Sequence, residues 1–189
     1  MTEGVAEARI TLGPLGPGFI LDLCAGGEGV IARAYPGRVL GVDQQLSEIK
    51  EARARAPADA VFLLGDATRT PFVDNTFPYV TAFFGLLYVK GDEAKRALFA
   101  EAARVLRPGG HFLVWDAAVA AAADLVAVQV RVLLPGGDVV RAGYGCRGST
   151  GEMNLDRLND LAKEAGLHVA AAEDHGAWFA ADFESPLTA

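Results

Sequence analysis

The sequence predicts an α/β fold in which helices cover both faces of one doubly wound, mostly parallel sheet of seven strands. Short apolar runs alternate with segments whose apolar residues recur at helical spacing, an order typical of parallel sheets. The last two apolar runs are joined by the tight turn Asp174-His175-Gly176 without a helix between them. We therefore expect an antiparallel last strand at one edge of the sheet.

The individual elements follow from this alternation. Strands are predicted at residues 19–23, 38–43, 61–64, 79–84, 111–115, 167–172 and 178–183. Helical patterns occupy residues 29–35, 46–57, 92–104 and 154–166. Asp92 and Asn154 are the expected N-caps of the last two helices, because short polar side chains accept hydrogen bonds from free backbone N–H groups.

One segment after the fifth strand does not fit the alternation. Residues 124–134 and 138–146 flank the sequence LPGGD, which predicts a β-hairpin within an insert of about residues 117–150. One face of its first strand carries only apolar side chains, those of Val126, Val128, Val130, Val132 and Leu134. Either the domain or a second subunit must cover that face, so a homodimer through the hairpin is one prediction. No repeat or linker divides the chain, and we expect one domain over residues 1–189.

Composition narrows the possible partners. The chain has 189 residues, 51% of them hydrophobic, and a formal net charge of −7, which disfavours non-specific nucleic-acid binding. Cys24 and Cys146 are too few and too far apart for a disulfide framework or a zinc site. The N-terminus lacks the pattern of a signal peptide, and no apolar stretch is long enough to span a membrane. These observations predict a cytoplasmic protein without a membrane partner.

The chemistry begins with ILDLCAGGEG at residues 20–29, where a strand ends in an acid and a glycine-rich turn. Such a turn brings backbone N–H groups and a helix N-terminus close to a ligand. Asp43 ends the second strand about twenty residues further on, where a carboxylate can accept both ribose hydroxyls. A nicotinamide enzyme and a nucleoside-binding methyltransferase both satisfy this pattern. The glycines read G-G-x-G, which fits the dinucleotide pattern G-x-G-x-x-G poorly.

Residues 65–80, GDATRTPFVDNTFPYV, resemble the small-molecule "type 11" group of class I S-adenosylmethionine-dependent methyltransferases. The family pattern G-D-A-x-x-L-P-F-x-D-x-S-F-D-x-V is kept without gaps at Gly65, Asp66, Ala67, Pro71, Phe72, Asp74, Phe77 and Val80. Residues 104–116, RVLRPGGHFLVWD, resemble the family's crossing into its fifth strand. The resemblance covers roughly residues 18–116 and implies a Rossmann-like fold with S-adenosyl-L-methionine as cofactor.

The resemblance also implies roles for individual residues. Asp22 would help to hold the methionine amino group, and the backbone around Phe83 would face the methionine end. Asp43 would bind the ribose. The other implied cofactor contacts are the backbone of Ala25, Gly26 and Gly27 in the turn, and Gln44, Gln45, Asp66 and Ala67 near the adenine.

The sequence departs from the family at several positions. The family usually has glycine where Cys24 stands and again near Glu28. A cysteine is small enough for its position if its φ is negative, and its expected role is a buried thiol rather than a nucleophile. Pro78 replaces the usual acid of F-D-x-V, and Leu87-Tyr88 replace a frequent histidine pair.

Catalytic candidates are few. Tyr88 follows the fourth strand and could line the acceptor pocket, whereas His175 follows the sixth and could act as a general base. For both residues, packing or surface exposure is the competing interpretation. Asp66 and Asp116 could share a metal ion but lack a third ligand, so we expect no metal.

The sequence therefore predicts methyl transfer from S-adenosylmethionine to an oxygen, nitrogen or carbon atom of a small molecule. Two alternatives remain at this stage. One is a cofactor-binding protein on the same fold that lacks transfer activity, and the other is an NAD-dependent oxidoreductase. The insert is mildly basic, with Arg131, Arg141 and Arg147 against Asp124 and Asp138. This allows an anionic substrate, although a solvated face or a dimer contact also explains it.

Overall fold

The computed structural model describes residues 6–121, 123–148 and 150–187. Its strands are β1 (Ala6–Thr11), β2 (Ile20–Leu23), β3 (Val39–Asp43), β4 (Val61–Leu64), β5 (Phe77–Phe83), β6 (Leu106–Ala117), β7 (Leu125–Leu133), β8 (Val139–Arg147), β9 (His168–Asp174) and β10 (Trp178–Glu184). Its α-helices are α1 (Val30–Ala34), α2 (Leu46–Arg55), α3 (Asp92–Val105) and α4 (Leu155–Glu164), and a short 3₁₀ turn spans Leu86–Tyr88. None of these helices is both long and apolar enough to cross a lipid bilayer.

Seven strands form the central sheet in the order β4-β3-β2-β5-β6-β10-β9. All neighbouring pairs from β4 to β6 are parallel, while β10 is antiparallel to both β6 and β9. The predicted α/β, doubly wound class is therefore confirmed. The strand order reverses between β2 and β5, and the crevice at their carboxyl ends is where sheets of this kind bind ligands.

The helix boundaries have local causes. Asn154 caps α4, because its side-chain oxygen accepts a hydrogen bond from Arg157 N at 2.8 Å. The N-cap of α3 is Gly91, not Asp92 as expected; Asp92 lies in the first turn, where the helix dipole favours an acid. Buried leucines on α3 and α4 pack both helices against the same face of the central sheet.

A second, three-stranded sheet has the order β1-β7-β8. β7 and β8 are antiparallel, and β1, which the sequence analysis did not predict, pairs with β7 in parallel. The inner face of this sheet buries Val128, Val130 and Val132 in a core shared with α1, α2 and the central sheet. The sequence left open whether the domain or a second subunit covers this apolar face, and in the structure the domain covers it.

Candidate functional site

A cleft of about 690 Å³ lies at the carboxyl ends of the central strands, next to the point where the strand order reverses. This volume is within the range of small-molecule sites. Parts of five segments line it, within residues 24–28, 43–55, 66–68, 83–98 and 143–144. The first three segments belong to the sequence-predicted cofactor region, whereas the last belongs to the hairpin insert.

Asp43 ties the end of β3 to the glycine-rich turn. Its two carboxylate oxygens accept hydrogen bonds from Gly26 N at 3.0 Å and from Gln45 N at 2.9 Å. A carboxylate has about four lone-pair positions, so two remain for the hydroxyls of a ligand. Gly26 has φ +59°, and a Cβ there would have no neighbour nearer than Cys24 O at 3.9 Å. The turn thus presents bare backbone to the cleft.

The next amide of the turn is also occupied by a carboxylate. Gly27 N donates to Glu48 Oε2 at 2.7 Å, and Gly27 O accepts from Arg55 at 2.8 Å. A dinucleotide pyrophosphate binds to free amides of such a turn and would be repelled by carboxylates at this position. Glu28 and Glu51 line the cleft as well, and although Arg55 pairs with both and Lys90 adds a positive charge, the lining as a whole keeps more acids than bases. The cleft therefore suits a ligand with positive charge at this end.

Asp22 lies beneath the turn and does not line the cleft. It is 1% exposed, and its carboxyl oxygen accepts a hydrogen bond from Thr81 Oγ1 at 2.7 Å. Burial raises the pKa of the Asp22 carboxyl to about 7, an effect that the Thr81 bond opposes and the charge of Asp43 increases. Ala25 does not line the cleft either. Its backbone N–H donates a hydrogen bond to Val42 O at 3.0 Å, so that amide is used within the fold.

The backbone of Cys24 differs from the expected conformation. A negative φ was predicted, whereas the observed φ is +57°, in the left-handed region that favours glycine. This conformation costs a non-glycine residue about 1–2 kcal/mol. The cysteine packs closely on Gly85, where an added Cβ would come within 2.6 Å of Cys24 Cβ. Burial raises the pKa of the thiol, so it stays protonated and is a poor nucleophile, as the sequence analysis expected.

The residues predicted near the adenine lie together on one side of the cleft: Gln44, Gln45, Asp66 and Ala67 all line it. One oxygen of Asp66 accepts hydrogen bonds from Thr68 N and Thr68 Oγ1, both at 2.8 Å. These bonds fix the carboxylate at the start of the turn. Within the described ranges the second oxygen of Asp66 has no hydrogen bond, so it can accept one from a ligand amine.

Aromatic rings form the opposite end of the cleft. Tyr144 of β8 stacks on Phe84 with ring centroids 4.9 Å apart and planes at 16°, and Phe83 meets Tyr144 edge-on. Tyr88 Oη accepts a hydrogen bond from Gly145 N at 3.1 Å, which joins the 3₁₀ turn to the hairpin. Sequence reasoning missed Tyr144. The signal for it was the period-two pattern that places Tyr144 on the same face as Val140 and Ala142.

His175 lies at the predicted edge of the sheet but does not line the cleft. It is on the far side, three strands or roughly 14 Å from β5. Its ring stacks on Trp178 with centroids 3.9 Å apart and contacts Glu173 at 3.0 Å. The direction of the strand predicts at which edge of the sheet His175 lies. Its distance from the cleft across the sheet depends on the strand order, which the sequence does not show.

Asp116 is fully buried and supports the 3₁₀ turn. Its carboxylate accepts hydrogen bonds from Leu86 N and Ala117 N at 2.7 Å and from Leu87 N at 3.3 Å. The Asp116 carboxylate thus binds backbone amides of the fold, which gives no support to a metal ion shared with Asp66. The described part of the chain contains no group of three potential metal-ligating side chains.

Comparison with known proteins identifies the fold and the family. Residues 21–114 match the family model described as a methyltransferase domain. A solved S-adenosylmethionine-dependent methyltransferase from Mesorhizobium loti superposes with a TM-score of 0.61 at 18% identity, covering 88% of this chain and 90% of that one. The chain belongs to the class I S-adenosylmethionine-dependent methyltransferases.

Two curated methyltransferases are similar over about half of this chain. A demethylmenaquinone methyltransferase from Renibacterium salmoninarum is 42% identical over 98 residues, which cover 50% of this chain and 39% of that protein. A ubiquinone/menaquinone biosynthesis C-methyltransferase from Desulfotalea psychrophila is 38% identical over 109 residues, covering 55% and 43%. The chain thus spans about two fifths of the length of these relatives.

The cofactor of this methyltransferase family is S-adenosyl-L-methionine, and the residues of the cleft fit it. That cofactor carries a sulfonium and an ammonium group, which match the carboxylates of Glu28, Glu48 and Asp43 around the turn. The bare backbone at Gly26 leaves room for close approach. The matched residues 21–114 include this half of the cleft but not Tyr144.

Proposed function

We propose that the chain is a single domain over residues 1–189 that binds S-adenosyl-L-methionine and transfers its methyl group to a small molecule. One observation supports this most directly: the carboxylates of Asp43 and Glu48 accept hydrogen bonds from the amides of Gly26 and Gly27 in the glycine-rich turn. An NAD-dependent oxidoreductase needs those amides for a pyrophosphate. A cationic nucleoside is attracted by the same carboxylates.

The described residues suggest how the cofactor would be held. The two free lone-pair positions of Asp43 would accept the ribose hydroxyls, and Asp66 would accept the adenine amine, with Ala67, Gln44 and Gln45 beside the ring. The methionine end would lie against the backbone of Gly26 and Gly27 and beside Phe83. Ala25 was predicted beside them, but it does not line the cleft, which gives that contact no support. Asp22 would act through charge from beneath the turn, because it does not reach the lining.

The bound cofactor supplies an electrophilic methyl group, which leaves sulfur by in-line displacement. The protein therefore has to hold the acceptor close and aligned. Phe83, Phe84 and Tyr144 form a rigid aromatic wall beside the methionine end, which supports a planar ring as the acceptor. The names of the two curated relatives point in the same direction, since one names demethylmenaquinone and the other ubiquinone and menaquinone biosynthesis.

Tyr88 is the proposed polar contact of the acceptor. Its oxygen already accepts a hydrogen bond from Gly145 N, so its proton is free to be donated to an acceptor atom. Burial raises the pKa of the Tyr88 hydroxyl, which keeps it neutral at physiological pH. His175 was predicted as a general base, and its distance from the cleft gives that role no support.

A transfer assay tests this proposal. The protein is incubated with tritium-labelled S-adenosylmethionine and a small-molecule extract, and labelled products are separated from the cofactor. We expect a labelled ring compound that is absent with the Asp43→Ala variant. Saturable cofactor binding with all label left in the cofactor would instead favour a binding protein without transfer activity.

We also propose that the protein acts in the cytoplasm, which its two free cysteines support. A homodimer through the hairpin insert stays a prediction. The apolar face of the hairpin, which suggested the dimer, gives it less support, because the chain itself covers that face. Light scattering on the purified protein measures the oligomeric state.

A further inference from the structure

Four arginines lie on the outer face of the three-stranded sheet, which carries one acid, Glu7. The register pairs Arg9 on β1 with Arg131 on β7, and Arg131 with Arg141 on β8, so the three form one row. Arg147 lies on the same face, opposite Leu125. All four side chains are exposed. We call this surface the arginine face.

The row is unfavourable within the fold itself. Neighbouring strands are about 4.8 Å apart, and like charges directly opposite each other on a sheet repel. Arg9 contacts Glu7 at 3.1 Å, but Arg131 and Arg141 form no ion pair with any residue of the described ranges. The arrangement thus calls for negative charge from outside the chain.

That charge does not come from an acceptor in the cleft. Arg131, Arg141 and Arg147 alternate with the inward-facing residues of their strands, so their side chains leave the sheet on the solvent side. None of them lines the cleft, whose own rim is acidic. The anionic substrate that the sequence allowed is therefore not explained by these arginines.

Aliphatic side chains lie among the arginines. Leu133 and Val139 are cross-strand neighbours in the row next to Arg131 and Arg141, and Leu125 is opposite Arg147. The three are 59% (Leu125), 41% (Leu133) and 40% (Val139) exposed. The arginine row thus has aliphatic side chains in the row beside it, and neither Arg131 nor Arg141 lines a cavity in the described part of the chain. This combination of arginine and aliphatic side chains is complementary to an extended anionic surface with an apolar layer beneath it.

We propose that the arginine face docks on an anionic lipid bilayer, with the guanidinium groups on lipid phosphates and the aliphatic side chains at the interface. A nucleic acid would give the leucines and valine no apolar partner. Glu7 lies on the same face and neutralises Arg9, so Arg131, Arg141 and Arg147 supply its net positive charge. Acids more than about 8 Å from these arginines are screened at physiological salt. The sequence predicts no membrane partner because it contains no membrane span, whereas peripheral docking does not need one.

Docking in this orientation has a consequence for the cleft. Gly143 lies on the arginine face two residues beyond Arg141, and it also lines the cleft. The edge of the cleft formed by Gly143 would therefore be its part nearest to the bilayer surface. This inference concerns the outer surface and does not rest on the proposed methyl transfer.

Vesicle sedimentation tests the proposal. The full chain is mixed with sucrose-loaded vesicles of phosphatidylcholine, with or without 30% phosphatidylglycerol, and the bound fraction is measured at several salt concentrations. We expect binding only to the anionic vesicles, and weaker binding as salt rises. The Arg131→Gln/Arg141→Gln variant should lower the partition coefficient about thirtyfold, which corresponds to about 1 kcal/mol per arginine.

The matched control removes two exposed charges elsewhere, Arg107→Gln and Lys163→Gln, and should bind like the unchanged protein. Thermal unfolding of the test variant should be unchanged or occur at a higher temperature, because a repulsion has been removed. Equal loss of binding in both variants, equal binding to neutral vesicles, or binding to heparin or polyglutamate but not to vesicles would each overturn the proposal.

Discussion

At the scale of single residues, the acids of the cleft determine what it can bind. Asp43 and Glu48 neutralise the amides of the turn that an anion would use, and they leave a negative rim. Asp22 adds a buried carboxyl whose pKa is raised to about 7 by burial. This site therefore couples ligand charge to proton binding.

Cofactor affinity should depend on pH through Asp22. Below pH 7 the carboxyl is mostly protonated, and only its ionised form can attract the ligand ammonium. Affinity should therefore rise up to tenfold per unit between pH 5.5 and 7, as the proton is lost. Calorimetry at several pH values measures this slope. Asp22→Asn should bind more weakly with a nearly flat profile; an unchanged slope in that variant would remove Asp22 from the site.

Cys24 provides a test of backbone strain. Cys24→Gly and Cys24→Ala both remove the sulfur, but only glycine adopts a φ of +57° without a steric penalty. We expect the glycine variant to be more stable than the alanine variant by about 1 kcal/mol in urea unfolding. Ala103→Gly, within α3, is the control and should lose about 1 kcal/mol. Equal stability of the two Cys24 variants would refute the strained conformation.

Tyr144 should affect the acceptor more than the cofactor. Its ring stacks on Phe84 at the aromatic end of the cleft, away from Asp43 and Asp66. Tyr144→Ala should raise the acceptor KM at least tenfold and leave the cofactor Kd within about twofold, whereas Tyr144→Phe keeps the ring. Transfer kinetics with calorimetry separate the two effects. A large loss of cofactor affinity in Tyr144→Ala would contradict the placement.

At the scale of secondary-structure elements, the three-stranded sheet completes the second core. β1 contributes Ala8, Ile10 and the adjoining Leu12, all less than 5% exposed, and bonds β7 in parallel register. Its side chains pack with those of α1 and β7 in one cluster. Residues 6–12 thus belong to the folded domain and pair with the first strand of the hairpin.

Truncating a β1 side chain should destabilise the whole domain. Ile10→Ala removes a side chain that is 4% exposed and should lower the free energy of unfolding by about 2–4 kcal/mol. Thr11→Ala changes the next, exposed residue and should stay within about 0.5 kcal/mol. Denaturant unfolding followed by circular dichroism compares the two. A small effect at Ile10 would mean that β1 is not part of the core.

Local pattern explains which elements could be predicted. The seven strand runs predicted for the sheet each overlap a strand of the central sheet, and the two hairpin runs overlap β7 and β8, because alternation and turn signals act over neighbouring residues. β1 escaped prediction because AEARIT gains its stability from β7, a partner in the second half of the chain. The left-handed conformation of Cys24 was missed because the turn sequence does not show which of its residues adopt a positive φ.

At the scale of the whole molecule, charge is distributed unevenly. The chain has a net charge of −7, with acids around the cleft and an arginine row on the outer sheet. The sequence shows both sets of residues but not their separation. The directions in which Arg131 and Arg141 point depend on the pleat and register of β7 and β8. The position of His175 likewise required the strand order, which a list of strands does not contain.

The central claim is that the cleft is built for a cationic nucleoside and not for a dinucleotide. Calorimetric titration of the whole chain with S-adenosylmethionine, and separately with NAD, tests it most directly. We predict saturable binding of S-adenosylmethionine, weakened by about 1–3 kcal/mol in Asp43→Ala, and no heat with NAD. Binding of NAD with no heat from S-adenosylmethionine would contradict the account.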